Sequence, residues 1–302
     1  MRSSHFVLLL FATLASGLIV LGPTSPPAAS KTAESQPFER AVETFYGEDF
    51  RAHPIAATQV GVHDYDTEVD DLSQEGQALE AARLHKALDG FMAIDPAPLS
   101  QGERDDRDVL INVIKARLLD IETIRDWRKD PGVYSQSATT AIFALVHRDF
   151  APLADRLRSV IARERRIPAM LENGKANIEH PPLAFVELAI RNISGSISFL
   201  KLGVPAAFAA VQDDPLKREF AAANDAAIAA FESYRNYLEQ ELKPKADGRF
   251  ALGPELFAKR AALSEMVDIP LDRLLEIAHA QLDKDRSALS AAAREIDPAK
   301  PV

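Results

Sequence analysis

Residues 53–66 read HPIAATQVGVHDYD, two histidines, two aspartates and a tyrosine gathered around Gly61. Imidazole and carboxylate groups set this close are the ones that move protons or hold a charged substrate terminus. Two readings stand. In one, residues 54–60 form a short helix, Gly61 supplies a left-handed turn, and the Asp side chains bond neighbouring backbone amides. In the other, His63, Asp64, Tyr65 and Asp66 line a cleft and hold a substrate terminus, or support the groups that do.

Spacing argues against several other chemistries. A catalytic zinc helix of the His-Glu-x-x-His kind needs two imidazoles four residues apart, so that both leave one helix face with the glutamate beside the bound water. The seven histidines, His5, His53, His63, His85, His147, His180 and His279, each stand at least ten positions from the next. No metal site is therefore expected from this chain. Ser194-Gly195-Ser196-Ile197-Ser198 resembles a serine-nucleophile turn, but isoleucine stands where the turn needs a second glycine, and small helix-packing residues are the better reading. Asp105-Asp106-Arg107-Asp108 reads as a solvated first helical turn, where negative charge suits the helix dipole. Cysteine is absent, which removes disulfides, thiolate nucleophiles and lipid attachment to a cysteine. With 45 acidic residues against 35 basic, the net charge of −10 repels a phosphate backbone, and no nucleic-acid partner is expected.

The elements that must position these residues are helices. Ser100 and Glu103 form a capping box, followed by Leu110, Ile114, Leu118, Ile121 and Ile124 at helical spacing and an end near Trp127. A second helix starts behind Pro215 with Leu216, Phe220, Ala227, Phe231, Tyr234 and Leu238 on one face. A third begins at Pro270 and carries Leu271, Leu275, Ala278, Leu282 and Leu289. Shorter helices are expected at 37–51, 73–93, 137–147, 151–165, 167–178, 183–200 and 253–264. The fold class is all-α, an irregular multi-helix bundle over residues 37–302. Ahead of it, Arg2, the uncharged run Phe6–Leu21 and the small residues Ala28-Ala29-Ser30 read as a signal peptide over 1–30, with a linker at 31–36. The run is too short for a stable membrane span. A periplasmic or secreted protein is expected.

Several segments together resemble one family. PIAATQVGVHDYD at 54–66, WRKDPGVY at 127–134, RERRIP at 163–168, the proline pair before Glu187, and RFALG at 249–253 are similar, in this order, to the bacterial domain-of-unknown-function family 885. The resemblance spans roughly residues 37–290 and implies an exported, mostly helical zinc metallopeptidase about twice this length. Its metal helix, His-Glu-x-x-Pro-Gly-His-His, belongs to the second half. This chain then resembles the N-terminal half, the wall of a cleft. Zinc is implied for the complete family domain and no cofactor for this chain. No catalytic residue or metal ligand transfers to any position here. Completed by a C-terminal half, His63, Asp64, Tyr65, Asp66 and Tyr134 would hold a peptide-like substrate at the cleft edge. The alternative is a self-sufficient periplasmic helical protein that binds a peptide or partner without catalysis.

Overall fold

Every regular element of residues 36–297, which the computed structural model describes, is helical. In chain order these are α1 (Gln36–Ala52), α2 (Pro54–Val60), α3 (Gln74–Met92), α4 (Gln101–Leu118), α5 (Gly132–His147), α6 (Leu153–Glu164), α7 (Ile167–Asn177), α8 (Leu183–Ser198), α9 (Val204–Ala207), α10 (Asp214–Tyr237), α11 (Pro254–Ser264) and α12 (Leu271–Ile296). The expected signal peptide, at 1–30, lies outside the described residues.

The helices begin where side chains can satisfy free backbone amides. Ser73 Oγ accepts from Gly76 N at 3.0 Å to start α3, and Asp213 Oδ1 accepts from Leu216 N at 3.0 Å to start α10. The capping box forms as expected, with Ser100 Oγ accepting from Glu103 N and Glu103 Oε2 accepting from Ser100 N. α4, α8 and α10 each run on into a wider π turn, at Leu119–Ile124, Phe199–Gly203 and Leu238–Leu242. One start departs from expectation. α5 begins at Gly132 rather than 137, because Asp130 Oδ1 accepts the Gly132 amide at 2.8 Å and opens the helix directly behind Pro131. The polar run Ser135-Gln136-Ser137 masked a face on which Tyr134, Ala138, Ala141, Ile142 and Leu145 are buried.

Apolar side chains gather in two clusters within one compact unit. The smaller joins α1, α3 and α4 through Phe38, Phe45, Leu84, Phe91, Ile114 and Leu118. The larger packs α5 against α6, α7 and α8, with α10 laid across them. The helical stretch Leu183–Ala207 is long and apolar enough to cross a membrane, yet it turns Val186, Ala189, Ile193 and Leu200 into this cluster. α12 differs from all of these: its apolar stripe is present as expected, but none of its residues is buried.

Two features of the larger cluster make measurable demands. Gly174 on α7 lies under a pair of tyrosines, and a Cβ there would stand 2.5 Å from Tyr234 Oη and 2.9 Å from Tyr134 Cγ. Neither ring is free to retreat. Tyr234 Oη donates to Pro131 O at 3.0 Å, and Tyr134 Oη donates to Trp127 O at 2.5 Å while accepting from Asn177 Nδ2 at 3.1 Å. The second feature is Glu164, fully buried with both carboxylate oxygens lacking a hydrogen-bond partner among the described residues. Burial pushes its carboxyl up to about 8.

Gly174→Ala is expected to lower stability by about 1–3 kcal/mol, the usual cost of overpacking, read as a reduced midpoint in urea unfolding. For Glu164 the folded pKa lies above the unfolded one, so its contribution is present below about 4.5 and lost as pH rises through about 8. Glu164→Gln should therefore melt higher than the parent at pH 9 and show a flatter dependence of Tm on pH between 5 and 9.

Candidate functional site

Pro54 ends α1 and starts α2, because it has no N–H to continue the first helix and its fixed φ suits the first turn of the next. His53 is left at the corner between them, with its backbone N–H still donating to Asp49 O at 2.8 Å. Asp70, from the loop after α2, replaces a cap by accepting Ile55 N at 3.1 Å. Glu80 and Arg83 arrive on one face of α3, and Arg117 on the last turn of α4. Arg83 is further held over the Phe45 ring, at 5.5 Å.

These six side chains form one half-buried ionic network. Arg83 Nη2 lies 2.5 Å from Asp49 Oδ1, and its Nε lies 2.8 Å from Glu80 Oε2. Arg117 reaches the same two carboxylates, at 2.7 Å to Asp49 Oδ1 and 2.5 Å to Glu80 Oε1. His53 Nε2 faces Glu80 Oε1 at 3.2 Å and Arg117 Nη2 at 2.5 Å, while its Nδ1 faces Asp70 Oδ2 at 3.6 Å. Burial and the Arg117 charge oppose an imidazolium here. The hydrogen bonds to Asp70 and Glu80 outweigh them and raise the His53 pKa to about 9. Burial alone would likewise push Glu80 up, but His53, Arg83 and Arg117 hold it down to about 2. Three carboxylates thus face three cations, and the cluster closes its own charge.

Asp49, His53 and Glu80 bring potential ligand atoms within 4.8 Å of one another, a donor set of the type zinc accepts. The fit nevertheless fails, because two guanidinium groups already occupy the carboxylate oxygens that a cation would need. The network acts as a clamp that ties α1, α3 and α4 together and shapes the space on either side. On one side, a cleft of about 390 Å³ is lined by His53, Asp70, Arg117 and Asp120. On the other, α1 and α3 border a cleft of about 810 Å³ that includes Arg51, Tyr65 and Arg83.

The histidine-rich stretch is folded as the short helix and left-handed glycine of the first reading, with Gly61 at φ 91°. Its polar groups are turned inward more than that reading anticipated. Buried Asp66 accepts the Thr58 hydroxyl at 2.6 Å and contacts His63 Nδ1 at 2.9 Å, and the His63 ring stacks on Phe150 at 3.7 Å. Thr58 Oγ1 in turn accepts from Arg163 Nη2 at 2.7 Å. Asp64 is exposed. Of the five residues expected at a cleft edge, Tyr65 alone lines one of the clefts described above. Tyr134 is fully buried, with its hydroxyl consumed by Trp127 and Asn177, so the structure gives it a packing place.

His53 belongs to the stretch that the sequence singled out but not to its candidate site residues, and Asp49, Asp70, Glu80, Arg83 and Arg117 were not singled out at all. The pairs Asp49/His53 and Glu80/Arg83 sit at helical i,i+4 and i,i+3 spacing, a local hint. Their union with Arg117 spans up to 68 positions and is visible only in the folded chain.

A family described as bacterial protein of unknown function (DUF885) matches residues 54–301. No functionally curated protein matches the sequence. A solved structure from Shewanella oneidensis, of a protein described as of unknown function, superposes with a TM-score of 0.74 at 23% identity over 87% of this chain, which establishes likeness of fold. The match covers 49% of that protein, so this chain spans about half its length.

The network predicts a stability optimum. His53, with its folded pKa raised, contributes fully below about 6.5 and loses that contribution as pH rises through about 9. Glu80, with its folded pKa lowered, contributes above about 4.5 and loses its share as pH falls through about 2. Thermal melts should show the network's contribution greatest between about pH 4.5 and 6.5, and His53→Gln should remove part of the decline between pH 6.5 and 9.

Proposed function

The chain belongs to the DUF885 family of bacterial proteins, and from that premise we propose that it is the N-terminal helical half of an exported zinc-metallopeptidase-like hydrolase. It forms one wall of a peptide-binding cleft and is inactive alone. The observation that carries this reading is α12. An amphipathic helix of 26 residues contributes no buried side chain, and Leu275, Leu282 and Leu289 stand 57%, 46% and 64% exposed along its apolar stripe. Apolar area of this kind normally marks a face that other polypeptide covers. The greater length of the solved relative offers a source for that cover. Export is supported by the N-terminal run of apolar residues, and the absence of cysteine favours release by cleavage over lipid attachment.

Zinc, held by a C-terminal half of the kind the family resemblance implies, would supply the activated water and polarise the peptide carbonyl. The residues described here would contribute a substrate-facing wall, braced by the network of His53, Glu80, Arg83 and Arg117. A second reading, a periplasmic peptide-binding protein without catalysis, is favoured by one feature: residues of this chain already line clefts beside that network.

The purified chain, dialysed against zinc and assayed on a mixture of peptides, should retain no stoichiometric zinc and release no products. Mixing it with a separately produced C-terminal half of a full-length family member should protect Leu275, Leu282 and Leu289 of α12 from hydrogen exchange and oxidation footprinting. Stoichiometric zinc together with peptide turnover by the chain alone would overturn the half-enzyme reading, and an α12 that stays unprotected in the mixture would favour the binding protein.

A further inference from the structure

The 810 Å³ cleft between α1 and α3 has a charge pattern that selects a particular kind of ligand. Glu43, Gly47 and Arg51 all line it, and they recur every fourth residue of α1, so they lie along one stripe of the helix. Most of the remaining charge in the cleft is spent internally. Lys86 pairs with Glu48 at 3.7 Å, and Arg83 is committed to Asp49 and Glu80. Glu43 and Arg51 are exposed and have no partner among the described residues, and the hydroxyl of Tyr65, which lines the same cleft, is also unpaired there. Along α1 the cleft therefore carries a free carboxylate towards one end and a free cation towards the other, and an unpaired phenol also lines it.

The separation of those ends sets a length. Eight residues of helix place Glu43 and Arg51 about 12 Å apart along the axis. An extended peptide advances about 3.3–3.6 Å per residue, so three residues put a terminal ammonium and a terminal carboxylate roughly 10–11 Å apart. Midway between them Gly47 leaves the floor open, since a Cβ there would meet nothing within 4 Å, and Ala82 of α3 faces the same space. A backbone can approach such a floor closely.

Resting on the half-enzyme reading and naming the ligand of its wall, we infer that this cleft binds a short unblocked peptide by both ends. The carboxylate lies on Arg51 and the Tyr65 hydroxyl, and the ammonium lies on Glu43. Charge-assisted hydrogen bonds of a guanidinium to a carboxylate are among the strongest available at a protein surface. The site would prefer peptides of about three residues, because a longer chain cannot satisfy both ends at once.

Isothermal titration of the full chain with trialanine tests this directly. Saturable binding is expected, weakened at least tenfold by N-acetylation and at least tenfold by C-amidation, with hexaalanine binding more weakly than trialanine. Arg51→Ala should erase the preference for the acid over the amide, and Glu43→Ala the preference for the free amine over the acetylated form. Both side chains are exposed and unpaired, so folding is not at stake. Gly47→Leu has room for its side chain on the open floor and should keep or raise the melting temperature while reducing trialanine binding at least tenfold. Absence of saturable binding, equal affinity for the free and blocked peptides, or full binding by the Gly47→Leu chain would each overturn the inference. The zinc and turnover assay judges the half-enzyme reading separately, so failure of that reading is distinguishable from failure of the peptide site.

Discussion

The guanidinium of Arg163 lies entirely out of water, its Nε has no partner among the described residues, and the placement of α2 follows from how its two terminal nitrogens are satisfied. Its Nη1 donates to Ala141 O at 2.7 Å, and its Nη2 donates to Thr58 Oγ1 at 2.7 Å with longer contacts to Pro54 O and Tyr65 O. A buried cation without such acceptors would be severely destabilising. Burial lowers its pKa to about 10, opposed by the charges of Asp66 and Asp70. One side chain thereby joins α6, α5, α2 and the turn that carries Tyr65. Thr58 passes the constraint on to Asp66, and Asp66 passes it to His63 on its Phe150 stack.

That anchoring gives the ionic network its geometry. With α2 fixed by Arg163, His53 cannot leave the corner ahead of Pro54, and it must meet the carboxylates of Asp49, Asp70 and Glu80. Its proton completes the balance of charge, which makes the cluster a clamp with nothing left over for a metal ion. The charges that do remain available lie outside the clamp, on the exposed stripe of α1 where Glu43 and Arg51 have no partners. An interior whose carboxylates are already taken by cations, beside a rim with free charge, suits a surface that receives a ligand without reacting with it.

Much of the architecture was legible in the residues. The Ser100/Glu103 capping box, the start behind Pro215, and the periodic stripes of α4 and α10 appear where local backbone chemistry requires them, because capping and helical spacing involve residues within four positions of each other. The start of α5 was missed because Asp130 acts on the Gly132 amide while the polar face that follows hides the apolar one. The site was far less legible. His63 and Asp66 have the residue types of an active site, but Asp66 is turned inward to Thr58 and holds the half-buried His63, and Tyr134 is held in the core by Trp127 and Asn177. Arg117 carries no local mark of its role at all.

The all-α class, the capped helix starts and the absence of a paired-imidazole zinc helix were determined by the sequence alone, since each depends on which side chains stand a few residues apart. Tertiary structure decided which charges find partners. Arg163 reaches Thr58 and Tyr65 across about a hundred positions, and Arg117 joins Asp49 and Glu80 across 68 and 37. Arg51 and Glu43 are left with none among the described residues. Whether a charged group is consumed or free depends on distances of a few ångströms between segments remote along the chain, and packing of the whole fold is what sets those distances.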